Sequence, residues 1–233
     1  MKSHLQSEKV HEAGLTRTPI YLLPAFYARA IFRPSPRTFA QEGEYARWNL
    51  VWLQLAILVC IPIILGLIRT IFRDRSTGIN TNANVIFSLL DAITVGATIG
   101  ATILKVILLP ILFFIEVSLQ YALARIFGGR GHYVEHAFSV LLYRVPLTLI
   151  GSIIIAVFVI LHFSSLLYSP IISIVFFIYG IYINIFAVVG VHAINRGKAV
   201  ATVVIPYAIG ALAICGGLAA LANYIAKTIS SLH

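Results

Sequence analysis

Long apolar runs alternate with short polar breaks along this chain. The runs cover roughly 50–68, 85–127, 139–163, 171–191 and 199–225, and the breaks between them are rich in Gly, Asn, Ser, Arg and His. About 20 apolar residues in a helix cross the ~30 Å hydrocarbon core of a bilayer, so four of these runs have the length of one span. The run over 85–127 is different. As a single helix its 43 residues would extend ~64 Å, about twice that core. It reads either as an interfacial helix (85–99) followed by one span (100–126), or as two spans folded back on each other. One span is the better reading, because no turn signal except Pro110 divides the run and Asp91 suits an interface better than mid-bilayer. The pattern predicts an all-α polytopic transmembrane helix bundle of five spans, with six as the alternative.

The first 47 residues form a separate cytosolic or interfacial arm, ahead of a transmembrane domain over 48–228. Residues 1–19 are polar and mixed in charge. Residues 20–34 mix aromatics with Arg29 and Arg33 between Pro24 and Pro34, a composition suited to lying in the headgroup layer; an arm packed on the bundle is the other reading. Ser35 followed by Pro36 has the form of a helix start. Glu42 and Glu44 then fall in early turns, where the helix dipole favours acids. Trp48 and Trp52 suit an interfacial belt.

Composition makes the lipid bilayer the solvent. Sixty per cent of residues are apolar and 11% charged, against about 25% charged in soluble domains. The net charge of +9 does not point to nucleic acid, because the basic residues sit in the arm and flank the apolar runs, where topology signals lie. With the N-terminus cytosolic, twelve Lys and Arg fall on the inner side (Arg144 among them) and four on the outer, with Lys105 within or beside the second span. That bias predicts N-in and C-out, although Arg69, Arg73 and Arg75 oppose it. Cys60 and Cys215 lie inside apolar runs and predict no disulfide. The first apolar run begins too late for a cleavable signal peptide.

Candidate chemistry is sparse. His132-x-x-Glu135-His136 has a zinc-peptidase spacing, but such a site needs a third protein ligand. Glu135 is the last acidic residue of the chain, so no metal is expected. Gly128-Gly129-Arg130-Gly131 is no nucleotide loop, and Gly197-Lys198-Ala199 lacks the hydroxyl that would hold magnesium. Neither a catalytic set nor a cofactor is predicted. Lys105 and Glu116 are the intramembrane charges. Eleven residues put them on one helix face about 16 Å apart, too far to pair. Each costs ~2.5–3.5 kcal/mol at mid-membrane unless it finds a partner or snorkels. Lys105 can snorkel; Glu116 sits near the centre, with Tyr143, Arg144 or His192 as candidate partners. Gly96-x-x-x-Gly100, Ala213-x-x-x-Gly217 and Gly216-x-x-x-Ala220 are spacings that allow close helix approach, within the bundle or in a homo-oligomer.

Three segments together resemble one family. Arg125-Ile-Phe-Gly-Gly-Arg-Gly-His-Tyr-Val-Glu135 precedes Tyr143-Arg-Val-Pro146, and Val191-His-Ala-Ile-Asn-Arg-Gly-Lys-Ala199 runs on to Pro206. With Phe32-Arg-Pro-Ser-Pro-Arg-Thr-Phe39 upstream, these resemble the Yip (Ypt/Rab-GTPase-interacting protein) family of multipass membrane proteins, over about residues 30–225. The resemblance implies a cytosolic N-terminus and five spans. It marks Gly128, Gly129, Gly131, Tyr143, Pro146 and Lys198 as motif positions. Eukaryotic members carry a longer N-terminal region with a Tyr-Gly-Pro-Phe-Trp-type motif, which the arm lacks, so GTPase binding is not implied. The short form resembles prokaryotic members of the plasma membrane, some of which resemble accessory subunits of ABC-type exporters. The expectation is a non-enzymatic adaptor or assembly factor for other membrane proteins. Its rival is a small-solute, ion or lipid transporter using Glu116 and Lys105.

Overall fold

The computed structural model describes residues 20–76, 85–161 and 165–230. A 3₁₀ turn (Ile20–Leu22) leads into α1 (Leu23–Phe32), α2 (Pro36–Gly43), α3 (Trp48–Ser76), α4 (Val85–Ile126), α5 (Tyr133–Ile160), α6 (Ser165–His192) and α7 (Arg196–Ser230). No strand occurs among the described residues.

Helix starts follow local chemistry. Ser35 Oγ accepts from Thr38 N at 3.1 Å, with Pro36 in the first turn of α2. Glu135 Oε2 accepts from His132 N at 3.0 Å, the reciprocal half of a capping box, ahead of α5. Asn195 Oδ1 accepts from Lys198 N at 2.9 Å and opens α7.

Among the described residues, four helices carry stretches long and apolar enough to cross a membrane: Val106–Ile126, Tyr133–Phe158, Pro170–His192 and Arg196–Tyr224. Trp48–Ile61 of α3 is a shorter apolar stretch. The 85–127 run is one uninterrupted helix, and its membrane-length part lies in its second half. No break separates an interfacial helix from a span, because Pro110 in the interior of α4 leaves the helix intact, as prolines in transmembrane helices do.

α5 is the central helix. It packs on α1, α2, α3, α4 and α6, while α7 closes against α4 and α6. Ala137, Phe138, Val140, Leu141 and Leu142 are all fully buried, so this part of α5 is enclosed on every side, as an all-round apolar helix should be. Towards the other end of the bundle, Ile171, Ile174, Ile178, Leu212 and Leu221 face outward, which suits lipid.

The arm is part of the bundle. α1 buries Leu23, Phe26, Ala30 and Ile31, α2 buries Phe39, and Tyr179 Oη of α6 donates to Ile31 O at 2.6 Å. Of the two readings of residues 20–34, the packed arm is the one found. Two further expectations change. α2 stops at Gly43, so Glu42 lies in its last turn, where the dipole does not favour it, and Glu44 follows the helix. Backbone bonds from Tyr45 N to Glu42 O and from Ala46 N to Gly43 O turn the chain before α3. Arg144 lies eleven residues into α5, inside the span Tyr133–Phe158, because that span begins before the expected Ser139.

Candidate functional site

Glu116 on α4 and Arg144 on α5 meet inside the bilayer-length segments. Arg144 Nη1 donates to Glu116 Oε2 at 2.8 Å and Nη2 to Oε1 at 2.6 Å. Tyr207 Oη on α7 donates to Oε1 at 2.8 Å, and Gln120 Nε2, one turn along α4, to the same oxygen at 3.3 Å. Asn184 Nδ2 on α6 then donates to Gln120 Oε1 at 3.1 Å. One hydrogen-bonded chain thus links α4, α5, α6 and α7. The fork-on-fork pair has the bidentate geometry that favours Arg over Lys, and it cancels the charge that would make either residue costly in lipid. Arg144 also stands over the Phe113 ring, 6.0 Å from its centroid.

Of the three partners expected for Glu116, Arg144 is the one that binds it. Tyr143 is buried beside it on α5, with its hydroxyl unpartnered. His192 is elsewhere: its ring centroid lies 5.0 Å from that of His136, and both imidazoles are buried without hydrogen-bond partners. Lys105 is three turns before Glu116 on α4; its side chain lies outside the described residues. Tyr207, Gln120 and Asn184 were missed in the sequence, where polar side chains inside apolar runs were the available signal. Gln120 in particular stands at i+4 from Glu116.

A second constellation lies at the α4–α5 junction. Gly128 takes φ +87°, a left-handed conformation that ends α4 as glycine does best. Gly129 N then bonds back to Ala124 O at 2.8 Å, and Arg130 N donates to His192 O at 3.1 Å. A Cβ on Gly129 would sit 2.8 Å from Ala124 O and 2.9 Å from His192 Cβ. Gly131 is pressed as closely against Val191. Lys198 Nζ, from the start of α7, donates to Phe127 O at 3.1 Å, covering a carbonyl at the C-terminus of α4 where a cation is favoured. The Gly motif therefore docks one connection against the other. Pro146 is buried in the interior of α5. His132 is exposed, and Glu135 is engaged with its backbone. Among the described residues no group of three His, Cys, Asp or Glu is placed to hold a metal.

A family model described as the Yip1 domain matches residues 29–218. The chain belongs to the Yip1 domain family. The match begins at Arg29 in α1 and so takes in the arm helices that pack on the Yip1 core. No curated protein and no solved structure matches the chain. It is an integral membrane protein of that family.

Two cavities adjoin these features. One, of about 300 Å³, lies between α5, α6 and α7 and reaches Tyr143, Arg144 and Tyr207 at its polar end. The other, about 370 Å³, lies in the arm around Arg29, Thr38, Glu42 and Tyr45. There Arg29 Nε stands 3.0 Å from Glu42 Oε1, close enough for an ion pair but not aligned as a hydrogen bond. Burial pushes the Glu42 carboxyl up to about 7, and Arg29 only partly offsets it.

Proposed function

We propose that this Yip1-domain protein is a non-enzymatic adaptor or assembly factor that binds other membrane proteins through its helices. It crosses a prokaryotic plasma membrane five times from a cytosolic N-terminus, with α3 as the first span. The observation that supports this is a contrast between glycines. Gly129, Gly131 and Gly190 are packed so tightly that a Cβ would collide. Gly100 on α4 and Gly210, Gly216 and Gly217 on α7 have no atom within 4 Å of such a Cβ. Leu212, Leu221 and Tyr224 beside them are exposed. Small residues pay off in membranes where another helix comes close, and on these faces the described residues supply none.

Photo-crosslinking in native membranes, followed by mild-detergent purification and mass spectrometry, tests the proposal. Crosslinkers beside Gly216 and Gly217 should capture a stoichiometric membrane partner or a second copy, and Gly217→Leu should abolish the adduct without changing the yield of the chain. A chain that emerges alone, with the adduct pattern unchanged in Gly217→Leu, refutes it.

The rival reading, a transporter of a small solute, ion or lipid, is favoured by the cavity that reaches Arg144 and Tyr207. It requires Glu116 to change partners during a cycle. Reconstituted flux that Glu116→Gln abolishes would establish it in place of the adaptor.

A further inference from the structure

The cavity between α5, α6 and α7 has a chemistry of its own. Its polar end is formed by Tyr143, Arg144 and Tyr207, near the middle of the span Tyr133–Phe158. Its walls carry the hydroxyls of Thr148 and Ser152 among apolar groups such as Phe176 and Ile155. The hydrogen bonds at the polar end are unequally distributed. Glu116 accepts four: two from Arg144, one from Tyr207 and one from Gln120. Three of them fall on Oε1 and one on Oε2. Donors remain in excess: the guanidinium carries more N–H groups than the Glu116 pair uses, and the Arg144 side chain is 25% exposed. A buried donor without an acceptor is disfavoured, so what completes this wall is an acceptor.

Charge narrows the class. Arg144 and Glu116 already cancel, so a full anion in the cavity would stand uncompensated at mid-membrane, whereas an ester or amide carbonyl would not. Size narrows it again. A 150 Å³ apolar cavity holds one benzene, so about 300 Å³ takes roughly a dozen heavy atoms: a carbonyl head and the first part of an apolar chain.

We propose that the cavity between α5, α6 and α7 binds an uncharged amphiphile, its ester or amide carbonyl accepting from Arg144 and its apolar chain lying along Ile155 and Phe176. The site stands apart from the adaptor reading, since it uses neither Gly216 nor Gly217, and it requires no transport.

The test uses the full chain in phosphatidylcholine nanodiscs with a diazirine-bearing monoacylglycerol as probe. Adducts are expected on the peptides around Tyr143–Ile155 and Ile172–Phe177. Unlabelled monoolein should compete for them, and oleate ionised at pH 9 should compete at least tenfold less well. Competition by monoolein alone assigns a membrane source. Competition also by glycerol monobutyrate assigns a water-borne one, and both support the site. Gly151→Leu should remove the adducts, because Gly151 lines the cavity and its Cβ position already touches Phe176 at 3.8 Å, so a longer side chain extends into the space. If that variant does not purify as a single species, Ile155→Trp fills the same space from the wall. Labelling spread evenly over all lipid-facing helices, adducts that survive both filling variants, or a preference for oleate would each overturn the proposal.

Discussion

Replacing Arg144 by Met leaves the Glu116 carboxylate inside the membrane without its counter-charge. It would keep Tyr207 at 2.8 Å and Gln120 at 3.3 Å, and lose the two guanidinium bonds at 2.8 and 2.6 Å. Breaking a buried ion pair from one side costs about 3–5 kcal/mol. At the low end of that range, Arg144→Met should destabilise by about 3 kcal/mol. Glu116→Gln leaves the guanidinium unpaired but keeps an amide that still accepts from Tyr207, and should cost about 2 kcal/mol. The double variant carries no charge at the site and should be no worse than Arg144→Met alone. The coupling is then about 2 kcal/mol, well above the ~0.6 kcal/mol average for polar pairs between membrane helices.

The assay is a double-mutant cycle on unfolding in bicelles, read by a steric trap or by SDS titration at fixed pH. Arg144→Lys belongs in the same series. It keeps the charge but not the fork, and should recover about half of the Arg144→Met loss. Additivity within about 0.5 kcal/mol would refute the reasoning, because it would mean that the charges do not need each other where the structure places them.

Two further predictions concern the junction and the arm. Gly129→Ala should cost at least 2 kcal/mol, since its Cβ would meet backbone at 2.8 Å and the root of His192 at 2.9 Å. Gly128→Ala, strained only by φ +87° with open space around it, should cost about 1–2 kcal/mol; equal losses measured by thermal unfolding would refute the packing argument. Glu42, with its carboxyl raised from 4.5 to about 7, makes the fold pH-dependent in a defined direction. A raised acid binds protons more tightly folded than unfolded, so its contribution is fully present below pH ~4.5 and is lost as pH rises to about 7. Glu42→Gln should flatten the stability profile over that window, and a wild-type profile that rises through it would contradict the burial of this carboxyl.

The class of the fold was legible because lipid imposes a length, and four helices show that length as uninterrupted apolar sequence. Glu116 was legible for the same reason: a charge in such a run requires a partner. Which partner was not, since Arg144 and Tyr143 are adjacent in sequence and the choice between them depends on the rotation of α5 about its axis. His192 was misjudged because His192 O and the His192 side chain both serve the α4–α5 turn at Gly129 and Arg130, a contact between segments more than sixty residues apart. Tyr207 and Asn184 had a signal, polarity inside an apolar run, but nothing local that said where their helices would cross α4.

The two ends of the bundle are therefore built on different principles. At the arm end, α1 and α2 lie on α5 and α6, the turns at Gly129 and His192 hold each other, and Lys198 covers the end of α4. Backbone meets backbone there, and glycines are used because a Cβ would not fit. Beyond the Glu116–Arg144 pair the helices diverge enough to leave a cavity, and the glycines of α7 face open space. Polar groups at the level of the pair cannot be released into lipid without large cost, so the four-helix link fixes where the tight half ends. A partner helix or a bound amphiphile can then occupy the open half without disturbing the junctions that carry the family's motifs. Substitutions at Gly129 should accordingly impair folding, and those at Gly217 or Gly151 should impair binding.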